Sequence, residues 1–230
     1  MINLNLIKNI IVFLIVYVPP VIVFDKYWLH RKRSKIVLFI INILYIGISI
    51  YTQNIVPFIF VIINILCMRF TDDFCKFNIK RFNILNGFRL ALISYLVVIL
   101  ISIFQQAVEN SLKLNLHKQE IVTNMANMPL NKLVFMVPIV VIFAPVLEEF
   151  MFRWIFFEKI FKNRLGVLGA AILSSLMFSF IHFSLSVFFV IFWIGLYNCY
   201  LIHKKGYWYA VFNHAVFNSV TMLVLITSKI

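Results

Sequence analysis

Charge is what this chain has least of. Charged residues fill 13% of its 230 positions and acids number only 8, while apolar residues reach 63% and mean hydropathy is +0.99. A soluble domain carries about 25% charged residues, so a water-soluble globule is excluded and an integral membrane protein remains. Cysteine is scarce too. Cys67, Cys75 and Cys199 are odd in number, widely spaced and without Cys-x-x-Cys, which excludes a disulfide framework and a thiolate zinc site and leaves unpaired thiols. His-Glu-x-x-His is absent, as are internal repeats and low-complexity tracts beyond the apolar bias. The amino terminus has one lysine, Lys8, ahead of its apolar run and no small-residue cleavage signature before the basic loop, so the first span is expected to stay.

What is there is a succession of apolar runs of roughly 15 to 22 residues that lack the alternation of barrel strands. The expected fold is all-α, a polytopic transmembrane helical bundle of about eight spans: Ile10–Phe24, Ile36–Tyr51, Ile55–Met68, Leu90–Phe104, Leu133–Phe157, Leu165–Ile181, Val187–Ile202 and Tyr207–Thr227. Only Thr52, Gln53 and Asn54 separate the second from the third, so a tight hairpin competes there with one long bent helix. With eight spans, alternate loops on one side hold 15 of the 21 basic residues. The positive-inside rule makes that side cytoplasmic and turns both termini outward. The net charge of +13 is thereby explained by topology and anionic lipid headgroups, with no nucleic acid as partner. The segment Gln105–Lys132 is the longest polar stretch, an external surface helix or a linker, with helical spacing at Val108, Leu112, Leu114 and Leu116. Trp28, Tyr207, Trp208 and Tyr209 read as interface anchors.

Six polar residues interrupt the later runs: Glu148, Glu149, Arg153, His182, His214 and Asn218. Ionisable groups in hydrocarbon cost about 2.5 to 3.5 kcal/mol each on insertion scales, so a set of them marks a buried aqueous site. Glu149 and Arg153 are four apart on a helix and share a face, which makes an ion pair. Glu148 is rotated about 100° away and is left free as the candidate general base. Pro145 is expected to kink this helix or free a backbone carbonyl. Phe178 lies one turn before His182 on the same face, and Gly166, Ala170 and Ser174 at four-residue spacing permit close helix approach. His214 and Asn218 present an imidazole and a carboxamide from one face, both capable of donating to an oxyanion. The set suits hydrolysis, with Glu148, helped by His182, taking a proton from water and His214 with Asn218 holding the tetrahedral intermediate. One difficulty accompanies this: straight helices put His182 near the outer face and His214 about 10 Å from the inner one.

Three motifs in order, Glu148-Glu149-x-x-x-Arg153, Phe178-x-x-x-His182 and His214-x-x-x-Asn218, together with Lys205-Gly206-x-Trp208 before the last, resemble the CPBP family of intramembrane proteases. These are relatives of the type II CAAX prenyl endopeptidase, also known as bacteriocin-processing or abortive-infection membrane proteins. The resemblance covers roughly Phe143–Val220. It implies catalytic roles for Glu148, His182, His214 and Asn218, support from Glu149 and Arg153, and an intramembrane endopeptidase acting on a peptide or membrane-anchored protein. Residues 1–132 would be N-terminal transmembrane helices with an external loop and no motif, and 133–230 the catalytic core. The setting implied is a bacterial cytoplasmic membrane, with bacteriocin or pheromone processing or self-immunity as roles. No cofactor is required. Zinc is an alternative, since His182, His214 and Glu148 are possible ligands, but a carboxamide is a poor fourth. A proton-coupled transporter and a non-catalytic membrane scaffold are the competing readings, and no oligomeric state is set.

Overall fold

The computed structural model describes residues 4–52, 54–68, 74–113, 116 and 119–230. Gln53, Arg69, Leu114 and the Cys75 side chain, on which sequence expectations fell, lie outside the described set. Among the described residues all regular structure is helical. We number the long helices α1 (Leu6–His30), α2 (Lys35–Thr52), α3 (Ile55–Cys67), α4 (Ile84–Ser111), α5 (130–161), α6 (Lys162–Phe180), α7 (Phe188–Lys204) and α8 (Tyr207–Thr227). Each of the eight apolar runs falls within one of them to within a residue at the run's ends. Helical hydrogen bonding continues from α5 into α6, so among the described residues six helices are long and apolar enough to cross a membrane, Leu130–Phe180 counting as one. The 13 residues of α3 reach only about 20 Å.

Two apparent continuities are hairpins. Ser174 Oγ donates to the Phe152 carbonyl at 2.6 Å although the residues are 22 positions apart, a separation of about 33 Å on a straight helix. The chain reverses at Gly166, whose φ of +69° favours glycine. A Cβ on Gly166 would meet nothing within 4 Å, so its expected role in close helix packing is corrected to that of a turn residue. Gly195 of α7 makes the close approach instead: a Cβ there would lie 2.8 Å from the Ser175 side chain. Likewise the Tyr45 and Phe60 rings stand 4.3 Å apart, which settles α2 and α3 as a tight hairpin.

The loops gather at two ends. Lys76, Lys162 and His203 all meet Glu158, and Trp208 donates to the Phe77 carbonyl, bringing the segments near 76, 162 and 204–208 together. At the opposite end Lys8 pairs with Glu120 at 3.2 Å and lies over the Phe183 ring, while Lys229 donates to the Ala126 carbonyl. The polar stretch after residue 104 resolves into a longer α4, which runs on to Ser111, and a short helix, Glu120–Ala126. Met125 of that helix is buried with Leu133, Met222 and Leu225.

The core is built around α5. Leu147, Phe150, Met151, Phe152 and Phe157 are fully buried on all sides of it, as expected of a helix apolar all round. By contrast α4 turns Leu92, Leu96, Leu100 and Phe104 outward, the face a lipid-contacting helix presents. Tyr207 is fully buried and donates to the Val146 carbonyl, which corrects its reading as an interface anchor.

Candidate active site

The backbone of α5 is irregular where the acids sit. A wide turn occupies Ile139–Phe143, and the Ala144 amide donates five residues back to the Ile139 carbonyl. The next donor in that register is residue 145, a proline without an N–H, so the Val140 carbonyl is left open. Asn218 Nδ2 fills it at 2.8 Å. Pro145 thus frees a carbonyl as the sequence suggested, and the carboxamide expected at an oxyanion spends one of its two N–H groups on it. Wide helical turns recur near functional sites, and Phe150–Phe161, which carries Arg153, is wide throughout.

Glu149 is the hub. Its carboxylate lies 3.1 Å from Arg153 Nε, and both side chains are fully buried. It also accepts from His214 Nδ1 at 2.8 Å and from Asn198 Nδ2 at 3.0 Å, and Asn213 donates to Asn198 Oδ1 at 2.7 Å. Three helices, α5, α7 and α8, are therefore fixed to one carboxylate. Sequence reasoning saw Glu149 and Arg153 as a local brace and missed Asn198, Asn213 and the link to His214. Polar residues in apolar spans are a recurrent helix-to-helix device, and the two asparagines were visible on that ground alone.

Phe178 is the second hub. The Arg153 guanidinium sits 4.1 Å from its ring centroid, and the His182 and His214 rings meet it edge-on at 4.7 and 5.7 Å. A desolvated cation over an aromatic face gains about 2 kcal/mol, which helps hold a guanidinium that makes no other described hydrogen bond. His182 Nδ1 donates to the Phe178 carbonyl at 2.7 Å, folding the ring back over the preceding turn. Helical side chains lean toward the N-terminus, and this lean brings the imidazole down from its backbone level toward His214. Glu148 and His214 both bear electrostatically on His182.

Glu148 stands apart from this packing. Its side chain keeps 23% exposure, and Oε2 faces His214 Nε2 at 3.8 Å. Because Nδ1 of each histidine donates to a fixed acceptor, each neutral ring carries its lone pair on Nε2. His214 can donate to an oxyanion only when both its nitrogens are protonated, a condition the sequence did not reveal. Glu148, Glu149, Arg153, Phe178, His182 and His214 are thus brought together, whereas the described contact of Asn218 is to Val140. Among the described residues no three His, Cys, Asp or Glu side chains converge as a metal-ligand set.

A multi-pass helical membrane protein with a buried acid–imidazole site is the class this fold and site define. Residues 130–220, which contain all six motif residues, match the family model described as type II CAAX prenyl endopeptidase Rce1-like. The matched segment is thus similar to CAAX-type prenyl endopeptidases. Searches of curated proteins and of solved structures find no match.

Proposed function

We propose that the protein is a glutamate-dependent endopeptidase that cleaves a peptide bond in a membrane-associated protein or peptide precursor. The observation that carries this reading is the partly exposed Glu148 facing an imidazole whose far nitrogen is anchored by the Glu149–Arg153 pair. Oxygen and nitrogen 3.8 Å apart leave room for one water about 2.8 Å from each. Glu148 takes a proton from that water as its oxygen adds to the scissile carbonyl. The negative charge formed is met by protonated His214 and by the remaining Asn218 N–H, with His182 Nε2 assisting the water. Collapse breaks the C–N bond, and the proton held by Glu148 passes to the leaving amine. Neither a covalent intermediate nor a cofactor is needed.

The setting we propose is a bacterial cytoplasmic membrane, and the substrates are precursors of secreted peptides such as bacteriocins or pheromones, or factors in self-immunity. The test compares membrane and secreted peptides from cells carrying wild-type protein and Glu148→Ala. Defined fragments that vanish while the variant accumulates normally support the proposal. An unchanged peptide profile in cells where wild type has a phenotype, with that phenotype intact in Glu148→Ala, returns the scaffold reading. A chelator that abolishes cleavage by the purified protein overturns the metal-free step.

A further inference from the structure

Away from the acids, the C-terminal ends of α1 and α3 enclose a cavity of about 220 Å³ lined by Phe24, Tyr27, Trp28, Arg31, Ile63 and Cys67, with Arg33 at its rim. Residues 24, 27, 28 and 31 recur at helical spacing and form one stripe of α1. That stripe runs from a buried phenylalanine through two amphipathic aromatics to an exposed arginine, a climb of about 10 Å. Ile63 and Cys67, one turn apart, form the opposite apolar wall. Arg33 lies over the Trp28 ring at 5.1 Å, and Trp28 Nε1 donates to the Ser34 carbonyl, so the rim is an ordered feature.

We infer that this cavity is a binding site for a phospholipid with an anionic head, its acyl chain between α1 and α3 and its phosphate at Arg31 and Arg33. An apolar cavity of this size stays dry and, opening onto a bilayer, takes hydrocarbon. Arginine is the side chain whose planar donor fork matches phosphate, and tyrosine and tryptophan favour the headgroup level. The surroundings reinforce the charge: Lys26, Lys32 and Lys35 flank the same turn. The site is separate from the Glu148 centre and does not depend on the proposed proteolysis.

Native mass spectrometry of the full chain in detergent, titrated with phosphatidylglycerol, phosphatidylcholine or inorganic phosphate, tests this. Two arginines at a membrane surface predict about a 30-fold preference for phosphatidylglycerol over phosphatidylcholine. Arg31→Gln with Arg33→Gln should bring the ratio near one, while the control pair Arg81→Gln with Arg89→Gln, which removes equal charge elsewhere, should leave it intact. Cys67→Phe, which fills the cavity, should weaken both lipids and serves if the double arginine variant fails to fold. Equal binding of the two lipids by wild type, an equal loss in the control pair, or retained binding in Cys67→Phe overturns the site. Inorganic phosphate binding as tightly as the lipid overturns the acyl-chain part and leaves a bare anion site.

Discussion

In α1 to α3 the buried side chains of Tyr45 and Asn64 donate to backbone oxygen, whereas in α5, α7 and α8 Arg153, Asn198 and His214 converge on one carboxylate. Tyr45 donates to the Tyr17 carbonyl and Asn64 to that of Pro20, beside a wide turn at Phe13–Tyr17 followed by Pro19 and Pro20. Both bonds lie where prolines disturb the helix, and in each a side chain of another helix reaches a backbone carbonyl there. The later helices add charge to this device. Arg153 and His214 reach Glu149 directly, as does Asn198, and Asn213 reaches it through Asn198. The difference teaches that a polar side chain ending on backbone repairs a helix, while several ending on one another build a field in which a proton can be moved.

This contrast can be broken at Glu148 first. Glu148→Gln removes the proton acceptor but no packed contact, so turnover should fall by about 10² to 10⁴ while thermal stability in detergent moves by no more than about 0.5 kcal/mol. Next in size is Arg153→Met, which strands the Glu149 charge and should cost about 3 to 5 kcal/mol. The double variant with Glu149→Gln should recover part of that loss in the same melting assay. A sharper comparison sets Asn198→Ala against Asn64→Ala. Each leaves a buried partner unsatisfied at a cost of about 1 to 3 kcal/mol, but only Asn198→Ala should also lower kcat, by loosening the carboxylate that orients His214. Equal kcat in the two variants would dissolve the distinction. The smallest effect is at the end opposite Glu158, where Lys8→Ala breaks a part-exposed ion pair and should change stability by no more than about 1 kcal/mol.

The acids and histidines were legible in the sequence because an ionisable group in an apolar run is costly enough to demand a reason. The helices were legible because their length is set by the bilayer. What escaped depended on partners far apart along the chain. Nothing near Asn198 says that it will meet Glu149, 49 residues earlier, and nothing near Tyr207 points to Val146. The duty of Asn218 toward Val140 follows from a wide turn and a proline acting together, which residue spacing alone does not reveal. Gly166 was misread for a related reason: it and Gly195 both lie in apolar helices, and only the fold decides which one turns the chain and which one admits a neighbour.

The central claim is that Glu148 and His214 act as one unit on one water. Turnover of the fragment-yielding substrate by Glu148→Gln, His214→Ala and the double variant measures this directly. The account predicts that the double variant is no slower than the slower single variant, because the unit is already lost. Two losses that multiply in the double variant would show independent roles and contradict it.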